Sequence, residues 1–324
     1  MEVYIQEKGS SLRREKEHFI IESKGKINHI SPEKITNIII EDNSIISTNA
    51  IKLAVENDIP IFLSDGIGNI YGKVWKPHFG KNSLVRLKQL KVFNSKYGNS
   101  IGKEWIILKL ESQKKHIMKI YKRRNKDYTN EVFLFDNIIN SVKQLGIEKE
   151  NFSNTIMGYE GNGSRLYYSL IAKMLPENIG FTKRINQGAT DIYNVVLNYS
   201  FGILYTRINH LLTVAGFDTK IGIFHTDITG KDSLLYDFIE QFRFISWEVV
   251  FSIFTKKIFN KNYLDEETRI LTIDGRRVIL EEMFKKLNKI EERNGEKCSY
   301  NELIKKKVYK LREELLENEI YNSL

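Results

Sequence analysis

The feature that most constrains the fold is a change of periodicity at Trp75-Lys76-Pro77-His78-Phe79-Gly80-Lys81, where proline and glycine interrupt a strand-like pattern. Before it, Val3-Tyr4-Ile5, His18 to Ile21, Ile35 to Ile40 and Pro60 to Leu63 are short apolar or alternating runs separated by polar turns, as strands are. One helix interrupts them, Ala50 to Glu56, with Ser47-Thr48-Asn49 suited to cap it. Asp65-Gly66-Ile67-Gly68-Asn69 predicts a hairpin turn into Ile70 to Trp75. Beyond the break nearly every segment has helical spacing. The expectation is an α+β chain: a small N-terminal β-sheet domain (1–78), a linker (79–81), and a larger, mainly α-helical domain (82–324) that carries the candidate catalytic residues.

A chain of 324 residues can bury two cores. No segment approaches the roughly 20 consecutive apolar residues of a bilayer span. The start, MEVYIQEKGSSLRREKEHF, lacks the apolar centre of a secretory signal, so a cytoplasmic location is expected. Cys298 is the single cysteine, which excludes an internal disulfide and a cysteine-based zinc cluster. Any metal must be held by oxygen and nitrogen. The formal charge of +9 favours an anionic partner such as a phosphate backbone, although a lysine-rich composition gives the same surplus without one.

In the second half, Asn82-Ser83 can cap a helix from Leu84 to Phe93. The next, Ile101 to Arg124, carries Lys103, Lys109, Lys114, Lys115, Lys119, Lys122, Arg123 and Arg124 among apolar residues, and its basic face is either solvated or tracks phosphates. His116 is expected at its surface. Asn137 to Leu145 continues the helical pattern. Glu160 lies in Met157-Gly158-Tyr159-Glu160-Gly161-Asn162-Gly163-Ser164-Arg165, at or near the start of a helix running through Leu166 to Met174. Glycines there allow close approach of a backbone or ligand, and equally suit an ordinary loop. Asp191 can cap a long apolar helix from Ile192 to Val214, whose Asn194, Asn198, Arg207, Asn209 and His210 fit hydrogen-bonded interior residues. Two charged helices, Ile279 to Leu287 and Tyr300 to Leu316, follow, with Gly295-Glu296-Lys297 between them.

The stretch Gly216 to Arg243 concentrates candidate chemistry. His225 follows the apolar run Ile221 to Phe224 and precedes the turn Thr229-Gly230-Lys231. An isolated histidine is more often a hydrogen-bonded structural residue than a ligand. From Ser233 onward Leu234, Leu235, Phe238, Phe242, Ile245 and Val249 form one apolar helical face, while Asp237 and Glu240 lie one turn apart on another. Because Phe244, Trp247 and Phe251 continue along that second side, carboxylates there need a partner.

Taken together, these stretches resemble the CRISPR-associated adaptation integrase, a metal-dependent DNA endonuclease family that inserts new spacers into CRISPR arrays. The resemblance rests on Met157 to Gly161 (MGYEG); on Arg184, Asp191, Asn194, Leu197 and Asn198; on Gly216-Phe217-Asp218 and Gly222-Ile223-Phe224-His225; and on Ser233-Leu234 through Asp237, Glu240, Phe242 and Arg243. In the first domain, Ile45 to Ala50 and Asp58 to Phe62 are similar to that family's β domain. Thr219 and Phe244 stand where the family commonly has proline, and Glu240 where some relatives have aspartate.

The resemblance implies Glu160, His225 and Glu240 as ligands of Mg2+ or Mn2+, with Asp237 as an additional catalytic acid beside them. Arg184, Lys220 and Arg243 are candidates for DNA phosphate, with structural ion pairing as their alternative role. It also implies double-stranded DNA as substrate, a homodimer joined through the β domains, a small companion protein of CRISPR adaptation, and no membrane association. The implied reaction is attack of a DNA 3′-hydroxyl on a phosphodiester. Two other functions fit the same residues: a non-catalytic DNA-binding scaffold and a structure-specific nuclease of DNA repair.

Overall fold

The computed structural model describes residues 1–41, 43–65, 70–75, 83–93, 95–148, 151–223, 232–265, 267–293 and 295–317. The N-terminal region contains β1 (Glu2–Ile5), β2 (Ser11–Glu15), β3 (His18–Ser23), β4 (Lys26–Ile30), β5 (Asn37–Glu41), β6 (Ile45–Ile46), α1 (Thr48–Glu56), β7 (Ile61–Ser64) and β8 (Ile70–Val74). One sheet has the order β1-β5-β7-β8 and the other β4-β3-β2-β6. β5 lies parallel to both β1 and β7, and its continuous apolar run is that of a central strand with both faces covered. β2, β3 and β4 form an antiparallel meander. Val3, Ile5, Leu12, Phe19, Ile38, Ile40, Leu53 and Ile61 join in one core between the sheets and α1. The Ser47 hydroxyl caps α1 by accepting from the Ala50 amide at 3.2 Å.

The helical region follows with α2 (Ser83–Val92), α3 (Lys96–Arg123), α4 (Thr129–Gln144), α5 (Phe152–Met174), α6 (Ile192–Val214), α7 (Ser233–Ile239), α8 (Arg243–Thr255), α9 (Ile273–Asn288), the hairpin β9 (Glu291–Arg293) and β10 (Glu296–Cys298), and α10 (Tyr300–Glu317). The α+β expectation holds. The expected linker at 79–81, the cap residue Asn82 and the turn residues 66–69 lie outside the described residues. The two regions meet through both apolar and polar contacts: the Tyr4 ring packs edge-on against Phe284 at 5.7 Å, Arg207 pairs with Glu2 at 2.7 Å, Arg276 with Glu41 at 3.1 Å, and Gln6 donates to both Glu41 and the Tyr199 hydroxyl.

Several local expectations change. β2 and β4 pair with β3 although their own sequences carry few apolar residues. α3 starts at Lys96, five residues ahead of Ile101, because Ser95 caps it by accepting from the Gly98 amide. The glycine-rich segment around Glu160 is not the start of a helix but the interior of α5. Each helical glycine costs about 1 kcal/mol relative to alanine, and at Gly163 packing accounts for it: a Cβ there would lie 2.2 Å from Leu110 Cδ2. The helix expected from Ser233 through Val249 is broken by a 3-10 turn, Glu240–Phe242, between α7 and α8.

Candidate active site

α3 and α5 pair residues at a constant offset, so they run in the same direction. Lys109 meets Glu160, Gln113 meets Ser164 and His116 meets Tyr167, each pair 51 positions apart. Gly163 permits this close approach. At the level of Lys109 a third element arrives, the 3-10 turn that begins at Glu240. The Lys109 ammonium pairs with Glu160 Oε1 and lies 2.5 Å from Glu240 Oε2. Ser164 donates to Glu160 Oε1 at 2.8 Å, and Arg243 Nε donates to Glu240 Oε1 at 2.8 Å.

Lys109 and Glu240 are buried, Glu160 and Arg243 partly so, and their charges are paired. Burial on its own would raise the Glu240 carboxyl, but Arg243 and Lys109 overcome it and hold the pKa at about 2. Burial works against the charged form of Lys109 too, and Glu240 and Glu160 more than compensate, keeping it above its ordinary value. Arg243 is raised in the same way against burial, by Glu240 first. Its guanidinium lies 4.9 Å from the Phe201 ring centroid, which it shares with Arg184 at 5.5 Å. Two carboxylates thus stand among three cations, an excess suited to an anionic ligand.

Of the expected ligands, Glu160 and Glu240 come together. His225 lies outside the described residues, within 224–231. Asp237 is fully buried, and its Oδ2 accepts the Ile223 amide at 2.6 Å, which fixes the backbone two residues ahead of His225. Arg184 donates to Asn194 Oδ1 at 3.0 Å, and Asn194 is itself held by the capping residue Asp191. Lys220 is exposed, and its side chain makes no contact with this cluster among the described residues.

Lys109 was grouped above with a basic helical face, and the structure corrects this. It is 5% exposed and belongs to the inner face of α3 with Trp105, Gln113 and His116. His116, expected at the surface, is buried, with Nδ1 2.7 Å from the Tyr167 hydroxyl. The signal was present in the spacing: residues 105, 109, 113, 116 and 120 fall on one helical stripe that begins with Trp105 and ends with Ile120. Other lysines of the helix pair outward, Lys114 with Asp136 and Lys119 with Glu248.

Glu160 and Glu240 are hard oxygen donors converging on one cation position, which the Lys109 ammonium fills. This donor set fits Mg2+ or Mn2+. Among the described residues no cluster of three histidine, cysteine or carboxylate side chains is present.

Comparison with known proteins adds a lineage. Residues 3–285 match the family model described as CRISPR associated protein Cas1. The chain is 31% identical over 291 residues to the CRISPR-associated protein Cas1 3 of Methanobrevibacter ruminantium, covering 86% of each chain. It is 27% identical over 306 residues to the CRISPR-associated endonuclease Cas1 1 of Archaeoglobus fulgidus, covering 88% of each. In three dimensions it superposes on a casposase bound to its integration product with a TM-score of 0.85 at 22% identity, covering 97% of this chain and 90% of that one.

Proposed function

This chain belongs to the Cas1 family of CRISPR-associated proteins, and from that membership we propose that it is a DNA integrase and nuclease that joins short duplexes into a CRISPR array. The joining step is transesterification, in which a 3′-hydroxyl of the incoming duplex attacks a phosphodiester of the target strand and displaces its 3′-oxygen. With water as the nucleophile the same centre gives hydrolysis. The observation that carries this reading is the convergence of Glu160 and Glu240, from separate elements, on one cation position beside Arg243.

Glu160, Glu240 and His225 would hold Mg2+ or Mn2+. Bound there, the ion would supply Lewis-acid polarisation of the phosphodiester. The protein's own residues prepare the site. Glu240 stays ionised at neutral pH because Arg243 and Lys109 overcome its burial. Arg184 and Arg243, stacked on Phe201, add positive charge where a phosphate must sit. Asp237 anchors the backbone at Ile223. Space around Gly158 and Gly161, which flank Glu160, is open on α5. Family membership also supports double-stranded DNA as the substrate, a homodimer through the β domains and a complex with a small companion protein. No helix among the described residues is long and apolar enough to cross a membrane.

The test is a strand-joining assay with labelled duplex ends and a repeat-bearing plasmid in Mn2+. Product should disappear with chelator, with His225→Ala and with Glu160→Gln. Unchanged product under chelator or in His225→Ala overturns the mechanism. Binding without joining by the wild-type protein identifies a scaffold, and cleavage of branched DNA without insertion identifies a repair nuclease.

A further inference from the structure

Each carboxylate at the site has a partner close to it in sequence, Ser164 for Glu160 and Arg243 for Glu240. Neither partner links α5 to the turn between α7 and α8. Lys109 does: from α3, it contacts both carboxylates, and its side chain is 6% exposed. Two carboxylates brought this close with little water repel unless a cation lies between them. An ammonium with a flexible four-carbon stem can fill that place as a point charge, without imposing the planar fork of a guanidinium.

We propose that Lys109 is the positioning residue of this centre: its ammonium keeps Glu160 and Glu240 converged, and it and a divalent cation are alternative occupants of that carboxylate pair. The inference rests on the metal-dependent function proposed above. It separates the two states of the protein. Without metal, the lysine supplies the charge that closes the site; with metal, that service is redundant and the lysine competes. Losing Lys109 therefore weakens the metal-free protein, leaves the loaded protein nearly as stable as before, and makes the metal bind more tightly.

Lys109→Met keeps an unbranched stem and removes the charge. In chelator its melting midpoint should fall by about 5 °C or more, the scale expected when a buried ion pair loses one member in a chain of this size. Adding Glu160→Gln should restore part of that loss, because one of the two repelling charges has gone. In saturating Mn2+ the gap should close, and calorimetry should show Mn2+ binding at least about tenfold tighter than to wild type. A gap of equal size in chelator and in Mn2+, no recovery from Glu160→Gln, or equal Mn2+ affinity would overturn the proposal and mark Lys109 as packing only. Failure of wild type and variant alike to bind Mn2+ sinks the metal-dependent function instead, and the chelator melts with Glu160→Gln then decide by themselves whether Lys109 holds the pair.

Discussion

Glu240→Gln removes one charge from the centre while nearly preserving shape. Glu240 is 7% exposed, and burial opposes its ionisation, yet Arg243 and Lys109 hold its carboxyl at about 2. Against an ordinary glutamate value of about 4.3, at ~1.4 kcal/mol per pKa unit, the depression corresponds to about 3 kcal/mol of stability at neutral pH. Breaking a buried pair by removing one member costs a similar amount. A group with a depressed folded-state pKa contributes fully above its unfolded value, and the contribution disappears as pH falls through the folded value. The gap between wild type and Glu240→Gln should therefore be constant from pH 7 to 5 and narrow as pH falls from about 4.5 toward 2. Urea titrations followed by tryptophan fluorescence at pH 7, 5, 4 and 3 measure it. With a slope of about 3 kcal/mol per molar urea, the midpoint of the variant at pH 7 should be lower by about 1 M. A gap below about 0.5 kcal/mol at pH 7, or one unchanged at pH 3, refutes the assignment of this charge network.

Gly163→Val puts a side chain where Leu110 Cδ2 would lie 2.2 Å from the new Cβ; thermal melts should show a loss of roughly 2 kcal/mol or more, with joining activity reduced as α3 and α5 separate. Gly158→Ala, with no atom within 4 Å of its Cβ, should instead stabilise by about 1 kcal/mol, and a loss there would contradict the helical placement of this segment. His116 is held at about 4 by burial, so the folded protein resists its protonation, and stability should fall as pH drops from 6.5 toward 4. His210 is lowered by burial to the same range, so His116→Gln should remove about half of that decline in melts compared at pH 7 and 4.5, and an unaltered decline would refute it.

Segments whose local signals agree were legible from sequence. α6 spans Ile192–Val214 as its apolar run and its Asp191 cap indicate, and the Asp191 carboxylate does accept the Asn194 amide. β5 and β7 could be seen as apolar runs. β2 and β4 could not, because the pairing that makes them strands comes from β3 and not from their own residues. Around Glu160, glycine spacing argues locally against a helix, and α5 forms there because long-range packing against Leu110 outweighs a propensity penalty of about 1 kcal/mol per glycine.

The sequence by itself determined the division into a strand-rich and a helical part, the Ser47 cap of α1 and the Asp191 cap of α6, and a family resemblance that put Glu160, His225 and Glu240 forward as ligands. Only the tertiary structure decided that Lys109 stands between Glu160 and Glu240, that Asp237 holds the Ile223 backbone, and that His116 lies inside. Caps and periodicity depend on neighbours within a few residues. The partner of a buried charge is instead whatever packing brings within reach once water has been excluded, and here Lys109 meets a carboxylate 51 positions along the chain.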